Sequence, residues 1–110
     1  MFQMFFGCVE LEYLDLTNFR SEKVSNITWM FTYCHSLKSL NLSSFNTSRI
    51  ETMENLFEGC SSLNLIDLSS FDISQVTTME RMFLDCSSLQ SLNISNFETS
   101  KVENMYAMFY

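Results

Sequence analysis

The sequence predicts an α/β repeat solenoid, with four short parallel strands on one face and short helices on the return side. Three observations predict it. Cysteines stand at positions 8, 34, 60 and 86, so the period is 26 residues with no insertion or deletion. The frame around them, Met-Phe-x-x-Cys-x-x-Leu-x-x-Leu-x-Leu-Ser-x-Phe as it runs from Met30 to Phe45, returns with like-for-like exchanges in every unit. Within each unit an alternation of period two gives way to an apolar stripe of helical period, the pattern of a strand followed by a helix. A fixed period of this length marks supersecondary units that bury their apolar faces only on one another.

The 110 residues divide into a stub, 1–7, and units of about 8–33, 34–59, 60–85 and 86–110, a single array rather than several domains. Met1, Met4 and Phe5 match Met105, Met108 and Phe109, so the chain opens and closes in mid-repeat. It reads as a fragment of a longer array, with adjacent repeats of the same chain as neighbours.

The strand comes first in each unit. In Leu37-x-x-Leu40-x-Leu42 the last two leucines share a face and Asn41 takes the other, which predicts a strand over 39–43 and its equivalents at 13–17, 65–69 and 91–95. About 20 residues separate successive strands. That rules out hairpins and predicts parallel neighbours.

The return follows. Val76, Met79, Met82, Phe83 and Cys86 fall on one stripe of a short helix. Ser48-Arg49-Ile50-Glu51 and Ser100-Lys101-Val102-Glu103 read as capping boxes at its start, and Gly7 and Gly59 as left-handed residues at its exit, where Tyr33 and Asp85 stand in the other units. Stacking then makes columns. Leu14, Leu40, Ile66 and Leu92 point inward, Phe19, Phe45, Phe71 and Phe97 stack after the strand, and Phe5, Phe31, Phe57, Phe83 and Phe109 stack beside the cysteines. The four cysteines read as reduced, buried thiols, because a linear row does not converge as a tetrahedral metal site requires and parallel Cβ vectors do not favour disulfides. Neither a metal nor any other cofactor is expected.

The outward strand positions are the candidate ligand-binding residues. Asp15, Asn41, Asp67 and Asn93 alternate acid with amide, a self-satisfying ladder in which each asparagine separates two carboxylates. Tyr13, Ser39, Leu65 and Ser91 begin the strands and vary within an otherwise regular grid. Tyr13 and Leu65 would be apolar anchors between small serines, on the extended face that repeat stacks use for recognition. Trp29, in a column with Gln3, Asn55, Arg81 and Ala107, is placed on the outer return surface and packed over its neighbours.

Several function classes recede. A net charge of −7 with six Lys and Arg opposes nucleic-acid binding, which rests on neutralising phosphates. The apolar runs fall far short of the roughly 20 residues of a membrane span, so no membrane insertion by this segment is expected. No Ser/His/Asp set, carboxylate pair or Gly-rich phosphate loop stands outside the repeat grid, and the lone His35 occupies a position held by Val9, Ser61 and Ser87 elsewhere. The reading is therefore non-enzymatic.

With that repeat frame and the trailing Thr-Ser-x-Val-x-x-Met in view, the whole chain resembles the BspA-like leucine-rich-repeat surface proteins. The resemblance implies an α/β leucine-rich-repeat solenoid, a location at the cell surface or in the secreted fraction, and adhesion to a protein ligand on a host or another cell. It supplies no catalytic residue. The chain shows no signal peptide or anchor, Glu22 replaces the serine cap of the first unit, and phenylalanines stand where ordinary leucine-rich repeats place an asparagine. The leading expectation is a protein-binding module acting through the exposed sheet face; the alternative is a structural spacer with no ligand of its own.

Overall fold

Three-residue strands punctuate the chain at the predicted period: β1 (Tyr13–Asp15), β2 (Ser39–Asn41), β3 (Leu65–Asp67) and β4 (Ser91–Asn93). These are seen in a computed structural model that describes residues 1–110. β1 pairs with β2 and β3 with β4, both parallel, in the register Leu14↔Leu40 and Ile66↔Leu92. The 26-residue period is thus the pairing register. The strands do not, however, form one four-stranded face: there are two separate two-stranded sheets, and β2 is not paired to β3.

The strands are also shorter than the alternation suggested, for a local reason. Asp15 Oδ1 accepts from Thr17 N at 2.9 Å, Asn41 Oδ1 from Ser43 N at 3.1 Å, Asp67 Oδ1 from Ser69 N at 2.9 Å and Asn93 Oδ1 from Ser95 N at 3.2 Å. Each side chain closes an Asx turn on its own backbone two residues on and ends its strand there. The expected ladder of side chains bonded to one another is therefore replaced by a column of strand terminators.

The helices predicted on the return side do not form, and the sole helical element is a 3₁₀ turn, Thr99–Lys101. Left-handed residues recur at four-residue spacing: Trp29 (φ 59°) and Tyr33 (φ 60°), Asn55 (57°) and Gly59 (70°), Arg81 (53°) and Asp85 (58°). An α-helix cannot pass through such residues. What forms instead divides the backbone amides between two tasks. Met30, Thr32 and Cys34 donate three residues back along the same coil, to Ile27 O, Trp29 O and Phe31 O at 3.1, 3.3 and 3.2 Å. Trp29, Phe31 and Tyr33 between them donate to the next repeat, at Glu54 O, Leu56 O and Glu58 O, at 3.2, 3.1 and 2.7 Å. A helix would have bonded every amide internally and left none to join repeats. The capping boxes are absent for the same reason: Ser48 N and Ser74 N donate to Asn46 Oδ1 and Asp72 Oδ1 in further Asx turns, and the 3₁₀ turn has no side-chain cap. Gly7 and Gly59 have the positive φ expected of them, though they end no helix, and Tyr33 and Asp85 share that conformation where no glycine announces it.

The burial pattern survives this change of backbone. Val76, Met79 and Met82 are fully buried and Phe83 nearly so, because successive three-residue turns return side chains to one side much as a helix does. The Phe5, Phe31, Phe57, Phe83 and Phe109 rings stack at centroid spacings of 5.4, 5.6, 5.4 and 5.5 Å with nearly parallel planes. Phe19, Phe45 and Phe71 stack more loosely, at 6.3 and 6.5 Å. Both columns belong to one cluster of buried and half-buried apolar side chains that runs the length of the molecule. A radius of gyration of 12.6 Å matches the ~13 Å expected of a compact chain of this length. Core is left open at both ends, by Phe2, Met4 and Phe6 at one and by Met105, Tyr106, Phe109 and Tyr110 at the other. No helix is long and apolar enough to cross a membrane.

Candidate functional site

All eight residues singled out on the strands are exposed, while the residue between each pair, Leu14, Leu40, Ile66 or Leu92, points into the core. Strand pairing sets Tyr13 beside Ser39 and Asp15 beside Asn41, then Leu65 beside Ser91 and Asp67 beside Asn93. Tyr13 is 64% and Leu65 57% exposed, large apolar surfaces with only serine beside them in the register. Lys38 Nζ reaches Glu12 Oε2 at 2.9 Å and lies 5.9 Å from the Tyr13 ring centroid, bordering that ring with charge.

The face has a feature that periodicity alone could not show. Leu16 N donates to Asn41 O and Leu68 N to Asn93 O, but Leu42, the corresponding residue at the middle seam, makes no such bond. A cleft of ≈ 350 Å³ opens there between β2 and β3, lined by Ser39, Asn41, Ser43, Leu65, Asp67 and Ser69 among others. It combines one exposed leucine with hydroxyl, amide and carboxylate groups along two unpaired strand edges.

The electrostatics of the face are mild. The backbone amide of Thr17 holds the Asp15 carboxyl below its ordinary range, and the hydroxyl and amide of Ser69 do the same for Asp67. Both are therefore charged at neutral pH, and neither is poised as an acid or base. Ionised acceptors of this kind can take hydrogen bonds from a partner on the oxygen that the turn leaves free.

The thiols lie behind the face, in the core. Cys34 and Cys60 are buried and Cys8 and Cys86 half-buried, all four unpaired. Cys34 Sγ donates to Phe5 O, Cys60 Sγ to Phe31 O and Cys86 Sγ to Phe57 O, each at 3.1 Å. The column is thus a row of hydrogen bonds, each running to the carbonyl of a ring-stack phenylalanine 29 residues earlier in the chain. Burial pushes the Cys34 thiol up to about 11, that of Cys86 to about 12 and that of Cys60 higher still. Such thiols are poor nucleophiles and poor ligands at neutral pH.

Sequence reasoning missed a second departure from the repeat, on the return surface. Trp29, Tyr33, Asn55 and Glu58 stand in adjoining columns whose other members differ widely in size and charge, and they are joined there by side-chain hydrogen bonds. The signal was column variance, which the strand positions had drawn first.

A family model described as "Mycoplasma protein of unknown function, DUF285" matches residues 1–110. No curated protein and no solved structure matches the chain.

Proposed function

The chain belongs to the DUF285 family over its whole length, and from that premise we propose that it is a non-enzymatic protein-binding module whose ligand docks on the strand face. The observation that carries this reading is the middle seam. Two strand edges lie open beside an exposed Leu65 and within one short face of Tyr13, so backbone and anchor groups are presented together. Main-chain edges give affinity and flanking side-chain anchors give specificity in recognition of extended segments. We propose further that the repeats are a leucine-rich-repeat solenoid of the BspA-like kind, and that the protein acts in adhesion to host or cell-surface proteins from the cell surface or the secreted fraction.

A structural spacer is the second reading. One observation favours it: Asp15, Asn41, Asp67 and Asn93 each commit an oxygen to their own backbone, as purely structural residues would. The two readings separate in a pull-down against purified extracellular-matrix and cell-surface proteins, followed by titration for saturable affinity. The comparison variant combines Tyr13→Ser, Leu65→Ser, Asp15→Asn and Asp67→Asn; asparagine keeps each Asx turn, as Asn41 and Asn93 do. Saturable binding lost in this variant, at unchanged circular dichroism, is the expected result. Binding that survives in the variant refutes the face, and no saturable binding to any protein of the panel favours the spacer.

A further inference from the structure

On the return surface, two adjacent repeats depart from the common pattern together. Tyr33 stands at a left-handed position (φ 60°) that Gly7 and Gly59 fill elsewhere, and Trp29 at another (φ 59°) that Asn55 fills in the next repeat. Bulky side chains are uncommon there, and an outlier of this kind is a reason to look for function. The departures depend on each other. A Cβ on Gly59 would lie 2.5 Å from Tyr33 Cδ1, so the glycine makes the space that the tyrosine ring occupies.

Around this space the side chains form one closed arrangement. Trp29 Nε1 donates to Asn55 Oδ1 at 2.7 Å, Asn55 Nδ2 donates to Glu58 Oε2, and Tyr33 Oη donates to Glu58 Oε1 at 3.1 Å. Tyr33 is pinned by its hydroxyl to the Glu58 carboxylate directly, and Trp29 is tied to it through Asn55. Phe6 sits between them, 6.2 Å from the Trp29 ring and 5.7 Å from the Tyr33 ring, the latter edge-on. The three aromatic residues are each about two-fifths exposed and share a cleft of ≈ 190 Å³ with Glu58.

The charge balance of the cleft is incomplete. Glu58 is only 9% exposed and has no ion pair. Arg81 lines the same cleft, but its guanidinium lies over the Tyr106 ring, at 5.9 Å, and its Nε is 3.7 Å from Glu80. The Glu58 carboxylate raises the Tyr33 phenol above its ordinary value, chiefly through the hydrogen bond between them. Beside the three aromatic side chains, Glu58 thus accepts hydrogen bonds from Tyr33 and Asn55 but has no ion-pair partner; the cation that suits such a place is weakly hydrated, because the rings replace water poorly for a compact ammonium ion. The volume is below the roughly 300–1,000 Å³ of ordinary small-molecule sites, which restricts the occupant to a small group.

We propose that Phe6, Trp29, Tyr33 and Glu58 form a site for a quaternary or methylated ammonium group. The site lies on the surface opposite the strand face, and it stands or falls independently of protein binding there.

Trp29 is the chain's single tryptophan, so its fluorescence reports on the site alone. Titration with choline and with tetramethylammonium should give a saturable change at millimolar concentration, in the range of roughly 1–10 mM expected of a few weak contacts. The neutral isostere 3,3-dimethyl-1-butanol should bind at least about tenfold more weakly, as should choline to Glu58→Gln, which removes the charge and keeps the shape. Tyr33→Gly, which adopts the residue of the sister repeats and relieves the backbone, should fold and lose the response. Vesicles of phosphatidylcholine, against phosphatidylglycerol, and a trimethyllysine peptide then show whether the group is presented by a lipid, a peptide or only a free solute. No saturation with any of these cations, an equal response to the neutral isostere, or full affinity in both Glu58→Gln and Tyr33→Gly would overturn the proposal.

Discussion

The two sides of each repeat meet one demand, joining a 26-residue unit to the next, in different ways. On the return side the joining is continuous: amides cross at each of the four junctions, from Phe5 to Met30, Phe31 to Leu56, Phe57 to Met82 and Phe83 to Met108, with a ring stack and a row of thiol-to-carbonyl bonds alongside. On the strand side it is interrupted, with β1–β2 and β3–β4 formed and the middle seam open. The difference teaches that the narrow, well-patterned strands are not what holds the molecule together. The return carries cohesion, and this leaves the strand face free to vary and to stay open.

The comparison can be broken most forcefully at the ring stack. Phe57 is fully buried between Phe31 and Phe83, and Phe57→Ala should cost about 3–5 kcal/mol, enough to unfold a domain of this size. Tyr13→Ser with Leu65→Ser should stay within about 0.5 kcal/mol of the parent in urea titrations, since both side chains are exposed. Comparable losses from the two faces would end the distinction.

The two glycines sharpen it. Gly7→Ala meets no atom within 4 Å and bears only the left-handed backbone, about 1 kcal/mol. Gly59→Ala adds a collision with the Tyr33 ring and should cost at least about twice as much, with the excess removed by Tyr33→Gly in the same chain. Equal midpoint shifts in urea for the two glycine variants would contradict the packing described.

The thiols give a pH test. Unfolded thiols ionise around 9.0, the folded Cys34 only at about 11 and Cys86 at about 12. A raised thiol value means that the folded state holds its proton more tightly, so stability is full below pH 9 and falls as the pH rises through that window. At pH 8 the Cys34 thiolate fraction is about a hundredfold below that of a free thiol, and alkylation of the native protein should be slowed accordingly. Rapid native labelling of Cys34 or Cys60 would place the column outside the core.

The smallest effect belongs to the Asx turns, two of them on the strand face. Asp15, Asp67 and Asp72 ionise below the ordinary 3.8 because their Asx turns favour the charged form. Their contribution is present above 3.8 and is lost as the pH falls through the lower folded values. Replacing all three with asparagine should flatten the acid limb of a stability profile and leave neutral stability within about 0.5 kcal/mol.

How much of this was legible in the sequence follows from what a repeat can encode. Period, parallel register, inward leucines and the stack from Phe5 to Phe109 were readable, because each is fixed by which residues recur at 26-residue spacing, whereas the second stack is seen over Phe19, Phe45 and Phe71, short of the Phe97 it was expected to reach. The return backbone was not. Val76, Met79 and Met82 recur every three residues, and both a helix and a chain of left-handed turns bury such a stripe. Trp29, Tyr33, Arg81 and Asp85 at positive φ gave no sign of it, since such positions are usually glycine or asparagine. At the candidate site the exposure of Tyr13 and Leu65 was legible from the alternation, whereas the cleft between β2 and β3 was not, because Tyr13, Ser39, Leu65 and Ser91 share one column, and nothing in it tells the unpaired Ser39–Leu65 step from the paired Tyr13–Ser39 and Leu65–Ser91 steps. The Trp29–Asn55–Glu58–Tyr33 arrangement joins columns three and four residues apart in neighbouring repeats, a proximity that only the left-handed turns create.

Native-state hydrogen exchange, resolved by residue, tests most directly whether the return carries cohesion while the strand face is open. Phe31, Tyr33, Phe57 and Gly59 amides, which cross between repeats, should be among the slowest in the molecule. Leu16, Leu42 and Leu68 provide the internal comparison, with like side chains at one position of three repeats and a bonded amide only in the first and third. The account predicts that Leu42 exchanges at least about tenfold faster than Leu68. Equal protection of the two, or strand amides slower than those of the return, would contradict it.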